Sequence, residues 1–152
     1  MVDSQYTVFE RVRRDVFNTC KSVRQLNGHN TDLEVEWFNR LGNTPGDDKG
    51  VLKEESPTLR DDAPYMHHAW DVPFVLTCYV QESESSNRTA TERINLLMAY
   101  VHKALMVDPH RNGVAVDTFI DNPNVFPDAD PPGVDIVFRV HVRTLKTDPY
   151  SQ

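Results

Sequence analysis

Histidines and carboxylates between residues 61 and 71 are the groups in this chain whose types suit metal binding. His67 and His68 are adjacent, and three aspartates lie near them: Asp61, Asp62 and Asp71. Adjacent residues of an extended chain point to opposite sides, so one ion is not easily held by both histidines. The chain also lacks the His-x-x-x-His spacing of a helical zinc site and a zinc-type cysteine pair. We therefore expect no metal ion and no cofactor, and interpret His67-His68 as a turn before the following strand.

Paired carboxylates are the second group of residues with possible chemistry, as a general acid and base. Glu34 and Glu36 would lie on one side of a strand, and Glu54-Glu55 falls in a long polar segment. A catalytic carboxylate needs burial or a charged neighbour to shift its pKa, and exposed acids have neither. The chain contains no phosphate-binding loop, no dinucleotide fingerprint and no nucleophile elbow. We predict no catalytic residue and no enzymatic activity.

A row of cationic or titratable side chains lies near the end of the chain. Arg139, His141 and Arg143 alternate with apolar residues, so a strand from Val134 to Thr144 places all three on one side. They would contact either the acidic segment that begins at Asp121 or a neighbouring subunit. We predict a contact between subunits at this row.

Acidic residues of two long polar segments complete the candidate interface. The segments run from Arg40 to Asp62 and from Asp121 to Gly133, and the first contains at most a short strand near Val51-Leu52. Long segments without regular structure are uncommon in compact domains and usually carry a function. We predict that both segments become ordered on contact with partners, the first as an interface arm. Their candidate interface residues are Asp47, Asp48, Glu54, Glu55, Asp128 and Asp130.

Apolar periodicity predicts the elements that position these groups. Apolar residues three and four apart predict a helix from about Ser4 to Arg24 and a second helix from Thr89 to Asp108. Thr89 and Glu92 have the spacing of a capping box. Alternating apolar residues predict four strands: Asp32–Asn39, Val72–Gln81, Val114–Ile120 and Val134–Thr144.

The element order α-β-β-α-β-β predicts a single α+β domain that covers residues 1–152. We expect a mostly antiparallel sheet of about four or more strands, two helices packed on one face, and long polar loops. Cys20 and Cys78 fall at apolar positions, which favours two buried thiols. The chain starts without a secretory signal and contains no apolar run long enough to span a bilayer. We therefore expect a cytosolic protein at synthesis and no membrane partner.

The second half of the chain has a particular succession of elements and turns. From Asp71 onward it comprises the apolar strand Phe74–Val80, the helix Arg93–Leu105, the turn from Asp108-Pro109 to Asn112-Gly113, the strand Val114–Phe119, the strand Asp135–Arg143, and the closing Thr144 to Pro149. In this succession the chain resembles the tail terminator proteins of long-tailed bacteriophages. These are patterns of shape, so no role is transferred from that family to an individual residue.

The resemblance implies an α+β subunit that closes into a hexameric ring on the tail tube. Its partners would be further copies of itself, the tail tube protein and the head-completion proteins of the neck. Genomic DNA would only pass through the lumen. The net charge of −7 is compatible with such a lumen, because an acidic surface repels the phosphate backbone. The implied location is the tail or neck of the virion, and the host cytoplasm during assembly.

Two alternatives remain open on the sequence. The first is another neck component, a head–tail joining or tail-completion protein with a similar build. The second belongs to a different class, a small metal- or ligand-binding enzyme domain. It would use His67-His68 and a nearby aromatic group made up of Trp37, Tyr65, Trp70 and Tyr79.

Overall fold

The computed structural model describes residues 6–24, 33–37, 49–80, 89–129 and 131–152. These residues form two helices and a sheet of seven strands, the predicted α+β class. The elements in chain order are α1 (Val8–Lys21), β1 (Glu34–Trp37), β2 (Lys49–Glu54), β3 (Thr58–Arg60), β4 (His67–Tyr79), α2 (Ala90–Val107), β5 (Asp117–Ile120), β6 (Asn124–Phe126) and β7 (Gly133–Leu145).

One long antiparallel ladder between β4 and β7 forms the centre of the sheet. It extends from His67 opposite Leu145 to Tyr79 opposite Gly133. The strand order is β1-β2-β4-β7-β5, while β3 also pairs with β4 and β6 with β7. The β1–β2 pair is parallel, and the other named pairs of the described strands are antiparallel. The prediction of a mostly antiparallel sheet is therefore confirmed.

Both helices pack on the same face of this sheet, as predicted. Even-numbered residues of β4 and β7 form that face, including Phe74 and Phe138, whose stacked rings have centroids 5.4 Å apart. The helices contribute buried residues three and four apart to the same core: Val8, Val12, Val16 and Cys20 from α1, and Ile94, Leu97, Val101 and Leu105 from α2. The apolar stripe that predicted each helix is thus the stripe that it buries.

Threonine hydroxyls cap the starts of both helices. Thr89 Oγ1 accepts a hydrogen bond from the Glu92 N–H at 3.2 Å, which is the predicted capping position. Thr7 Oγ1 accepts one from the Glu10 N–H at 3.2 Å, so α1 begins at Val8 rather than at Ser4. Neither described helix is both long and apolar enough to cross a membrane.

The prediction that the segment from Arg40 to Asp62 contains at most a short strand near Val51-Leu52 is wrong for its described part, which contains two strands, β2 and β3. β2 lies inside the sheet between β1 and β4, and Leu52 is fully buried. Gly50 permits a close approach, because a Cβ there would lie 3.1 Å from Leu76 Cδ1. The sequence of β2 shows no clear apolar alternation, because its two buried positions are occupied by Gly50 and Leu52 and its other residues include three charged side chains. Residues 40–48 lie outside the described part of the chain.

The turn predicted at His67-His68 is also wrong, because both residues belong to β4. The turn lies just before them, where the His67 N–H donates to the Pro64 carbonyl oxygen at 3.0 Å. β4 extends back to His67 because β7 continues to Leu145 and pairs with it throughout. The second polar segment, 121–133, likewise contains an unpredicted short strand, β6.

Candidate interaction surface

The face of the sheet opposite the helices carries a row of charged residues across three strands. The register places Asp71 of β4 directly opposite His141 of β7, and Asp117 of β5 opposite His141 on its other side. Residues two apart in a strand share a face. Arg139 and Arg143 therefore lie on this same face, which confirms the predicted placement of the row along β7.

Asp71 is the centre of an ion-pair network on this face. Its Oδ1 atom is 3.1 Å from Arg60 Nη1, and its Oδ2 atom is 3.3 Å from Arg139 Nη1. One carboxylate thus joins β3, β4 and β7 through two guanidinium groups. Charge-assisted hydrogen bonds of this kind are stronger and more directional than neutral ones.

The Arg60 guanidinium also holds a second carboxylate. Asp62 accepts from Arg60 Nε at 2.9 Å and from Nη2 at 2.8 Å, a two-point contact between residues two apart. Hydrogen bonding to Arg60 lowers the pKa of Asp62, and the same contact raises the pKa of Arg60. Arg60 is therefore fixed between an exposed acid and the sheet.

Arg139 is held by its own chain at three points. Its Nη1 contacts Asp71, its Nε is 3.3 Å from Asp121 Oδ1, and its Cζ lies 4.7 Å from the centroid of the Phe119 ring. Of the two acidic neighbours considered for this residue, the structure places the Asp121 segment in contact with it. A contact of Arg139 with another subunit stays a prediction.

His141 is the least accessible member of the row, with 6% of its surface exposed. Its Nδ1 atom is 3.5 Å from Asp71 Oδ1 and has no hydrogen-bond partner within the described part of the chain. Arg143 is half-buried on the same face. A partner that reached this row would therefore meet Arg139 before His141.

The acidic residues predicted for the interface do not meet this row in the described structure. Glu54 lies on the helix side of β2, where its Oε2 is 3.5 Å from Arg13 Nε of α1. Burial raises the pKa of Glu54, and Arg13 opposes that effect. Glu55 lies 3.7 Å from Lys53 Nζ, and Asp128 is exposed in the turn after β6. Asp47, Asp48 and Asp130 lie outside the described residues.

A second feature, which the sequence did not indicate, is a buried arginine between the two helices. Arg111 is 1% exposed, and its Nη2 donates to the carbonyl oxygens of Leu105 and Asp108 at the end of α2. Its Nη1 donates to Thr19 Oγ1 at 3.2 Å and lies 3.3 Å from Asp15 Oδ2. Arg111 therefore caps the carboxyl end of α2 and ties it to α1.

Burial dominates the titration of this ion pair. It lowers the pKa of Arg111 and raises the pKa of Asp15, while each partner's charge opposes the shift of the other. The backbone of Arg111 has φ +49°, and the next two residues, Asn112 and Gly113, also have positive φ. These three residues form a turn that the Val114 N–H closes by donating to the Arg111 carbonyl oxygen, and β5 begins at Asp117 instead of the predicted Val114.

Arg111 lines an open cleft of about 570 Å³ between α1 and α2. Its α2 wall includes Tyr100, Ala104 and Val107, while α1 and the residue that caps its end contribute Asn18 and Ser22 among other polar residues. This cleft and the charged row are two features of the described residues that suit contact with a partner or ligand. They lie on opposite sides of the sheet, since the helices cover one face only.

The histidine pair does not form a metal site in the described structure. His67 Nδ1 is 3.1 Å from the Tyr65 carbonyl oxygen, and the His68 ring meets the edge of Trp70 with centroids 6.0 Å apart. As adjacent residues of β4, the histidines point to opposite faces. Among the described residues, no group of three or more potential metal ligands lies together.

Comparison of the chain with protein-family models and with curated proteins finds no match.

Proposed function

We propose that this chain is a structural virion protein, a tail terminator that forms a ring on the tail tube of a long-tailed phage and joins the tail to the head. The observation that carries the proposal is the one-sided architecture. Both helices cover one face of the sheet, and the opposite face presents the network of Arg60, Asp71 and Arg139. A rigid sheet with one accessible polar face suits repeated contacts between identical subunits.

The fixed side chains of this face support a role in binding another subunit rather than in catalysis. Arg60 and Arg139 are held by carboxylates of their own chain before any partner arrives. Side chains that are fixed in advance lose less conformational entropy when an interface forms. The aspartates of the network are each joined to an arginine, which differs from a pair of carboxylates poised for acid–base chemistry.

The excess of acidic residues in the chain supports the implied role of the ring as a channel through which DNA passes. The chain carries 23 acidic and 16 basic residues, for a net charge of −7. A ring of such subunits would repel the phosphate backbone and let DNA move through the lumen without binding it.

Electron microscopy of the purified protein tests the proposal directly. Negatively stained samples at high protein concentration, alone and with purified tail tubes, should contain rings with a central hole or tubes capped at one end. Protein that stays monomeric with and without tubes would contradict the proposal. Binding of zinc, manganese or nickel in a calorimetric titration would favour the alternative of a metal-binding domain.

Tail length separates a terminator from the adjacent neck components. Deletion of the gene from the phage that encodes this chain should give overlong or unstable tails, because nothing stops the addition of tube protein. Tails of normal length that are detached from heads would instead identify a head–tail joining protein.

A further inference from the structure

The turn between β3 and β4 presents two exposed apolar residues on a strained backbone. The His67 N–H donates to the Pro64 carbonyl oxygen, which closes a β-turn with Tyr65 and Met66 at its tip. Met66 has φ +68°, a left-handed conformation in which turns ordinarily place glycine or asparagine. Tyr65 is 89% exposed, and Met66 is exposed beside it. We call Tyr65 and Met66 the tip.

The rest of the fold holds this strained turn in place. The Lys146 N–H, just beyond β7, donates to the Met66 carbonyl oxygen at 2.9 Å. The His67 ring lies 3.1 Å from the Tyr65 carbonyl oxygen. Strained backbone persists where the surroundings over-determine it, and such positions cluster at functional sites. An exposed tyrosine on a rigid support is also a frequent anchor of protein interfaces.

The cleft between α1 and α2 has the shape and chemistry to receive such an anchor. Its volume of about 570 Å³ falls within the range of roughly 300–1,000 Å³ typical of binding pockets. Tyr100, Ala104 and Val107 recur at helical spacing and form an apolar wall. Asn18, exposed on the α1 side, offers a hydrogen-bond partner for a phenol.

The charges beside the tip and beside the cleft are complementary. Asp61 is exposed a few residues before the tip, and Lys103 is exposed at the cleft. Two acids also line the cleft, but Asp15 pairs with Arg111, and Asp108 accepts hydrogen bonds from backbone N–H groups. Of the two cationic residues that line the cleft, Arg111 pairs with Asp15, and Lys103 has no ion-pair partner within the described ranges.

We propose that the tip of one copy of this chain docks into the α1–α2 cleft of a second copy, with Tyr65 against Ala104. The residues that line the cleft come from the two helices and the turn after α2, so a chain does not fill its own cleft with its tip. When the tip of each copy enters the cleft of the next copy, the contact is head-to-tail and repeats to give a ring or a filament. The inference rests on the proposed ring and names one contact within it.

Cross-linking between two variants tests the docking. Tyr65→Cys and Ala104→Cys are purified separately, mixed, and treated with a short thiol-to-thiol cross-linker. The two native cysteines are free but buried, so they contribute little background. Cross-linked dimers should form in this mixture and not when Val125→Cys, at an exposed apolar position on β6, replaces the tip variant. Equal yields with both partners, or no cross-link in either mixture, would overturn the docking.

Sedimentation analysis of a side-chain deletion gives a second, independent readout. Tyr65→Ala should weaken self-association by about tenfold to a hundredfold, as expected for an interface anchor. Tyr150→Ala, which removes a tyrosine that is 45% exposed at the C-terminal end, should leave self-association unchanged. Rings that persist in Tyr65→Ala with unchanged dissociation would overturn the docking and leave the ring proposal intact. Wild-type protein that never associates, even on tail tubes, would overturn both.

Discussion

Asp71 and His141 face each other across the β4–β7 ladder, with His141 Nδ1 3.5 Å from Asp71 Oδ1. The carboxylate instead accepts hydrogen bonds from two arginines, Arg60 on β3 and Arg139 on β7. The aspartate is therefore the shared acceptor of the open face, and the histidine is the neighbour that it leaves without a bond.

Replacement of this shared acceptor should destabilise the sheet. Asp71→Asn removes the negative charge with which both Arg60 and Arg139 pair. All three side chains are partly shielded from solvent. We expect the free energy of unfolding to fall by about 1 to 2 kcal/mol, measured by urea denaturation. Asp62→Asn, at a carboxylate that contacts Arg60 and is more exposed, should have a smaller effect. Equal losses from the two variants would argue against a central role for Asp71.

Leu52 tests whether β2 belongs to the sheet. Because its side chain is fully buried, Leu52→Ala should reduce the free energy of unfolding by about 2 to 5 kcal/mol. Leu59→Ala on β3 is the matched control, since Leu59 is 53% exposed, and its effect should be under about 1 kcal/mol. A mild effect at Leu52 would restore the interpretation of this segment as an interface arm.

Arg111→Met should be the most damaging single change among the charged residues considered. It leaves the carbonyl oxygens of Leu105 and Asp108 uncapped and removes the partner of Asp15. Breaking a buried ion pair in this way typically costs about 3 to 5 kcal/mol. Lys103→Met, at the exposed side of the same cleft, should change stability little. Near-wild-type stability of Arg111→Met would show that the cap is dispensable.

The thiol of Cys20 should be inert in the native protein. Burial raises its pKa from 9.0 to about 12, so the nucleophilic thiolate is not formed near neutral pH. Ellman's reagent should modify neither cysteine of the folded chain at about pH 8, and both in concentrated guanidinium chloride. Fast modification of the native protein would show that α1 opens readily.

The same pKa shift has a consequence for stability with a definite sign. The folded state keeps the Cys20 proton where the unfolded state loses it, so stability is unaffected below pH 9.0 and declines as the pH rises toward 12. Cys20→Ala removes this contribution. Alkaline urea titrations should therefore show a shallower loss of stability above pH 9.0 in the variant than in the wild type.

Relief of backbone strain at Met66 should stabilise the protein. A left-handed conformation costs a non-glycine residue about 1 to 2 kcal/mol, and the extra entropy of an unfolded glycine offsets part of the gain. We expect Met66→Gly to raise the free energy of unfolding by about 0.5 to 1 kcal/mol in urea denaturation. Asn112→Gly, also at positive φ, should gain less because asparagine tolerates this conformation. A loss of stability in Met66→Gly would mean that Met66 contributes packing that outweighs the strain.

Local patterns predicted the parts of the fold that depend on local spacing. Alternation from Val134 to Thr144 correctly placed Arg139, His141 and Arg143 on one face, and the Thr89–Glu92 spacing correctly located the start of α2. For β2 the sequence indicated at most a short strand near Val51-Leu52. Its full extent and its central place depend on Leu76, a residue distant in the sequence, and on the missing side chain of Gly50.

Two features that depend on contacts between distant residues, the buried Arg111 and the Asp71 network, were not indicated by the sequence. In the sequence Arg111 is one charged residue of a polar turn. In the structure it is buried, because Thr19, Asp15 and the end of α2 all contact it. The Asp71 network was likewise missed, because its arginines come from β3, which was not predicted, and from β7.

The pairing of β4 with β7 has a consequence for biosynthesis. β7 is the last described strand to leave the ribosome, and His67 must wait for Leu145 to be translated before it acquires its ladder partner. Until then, one edge of β4 and the apolar face around Phe74 lack the neighbour that completes them. Until β7 emerges, the nascent chain therefore carries an incomplete sheet with an unpaired strand edge, a stage at which chaperone capture and chain concentration govern the yield of folded subunits.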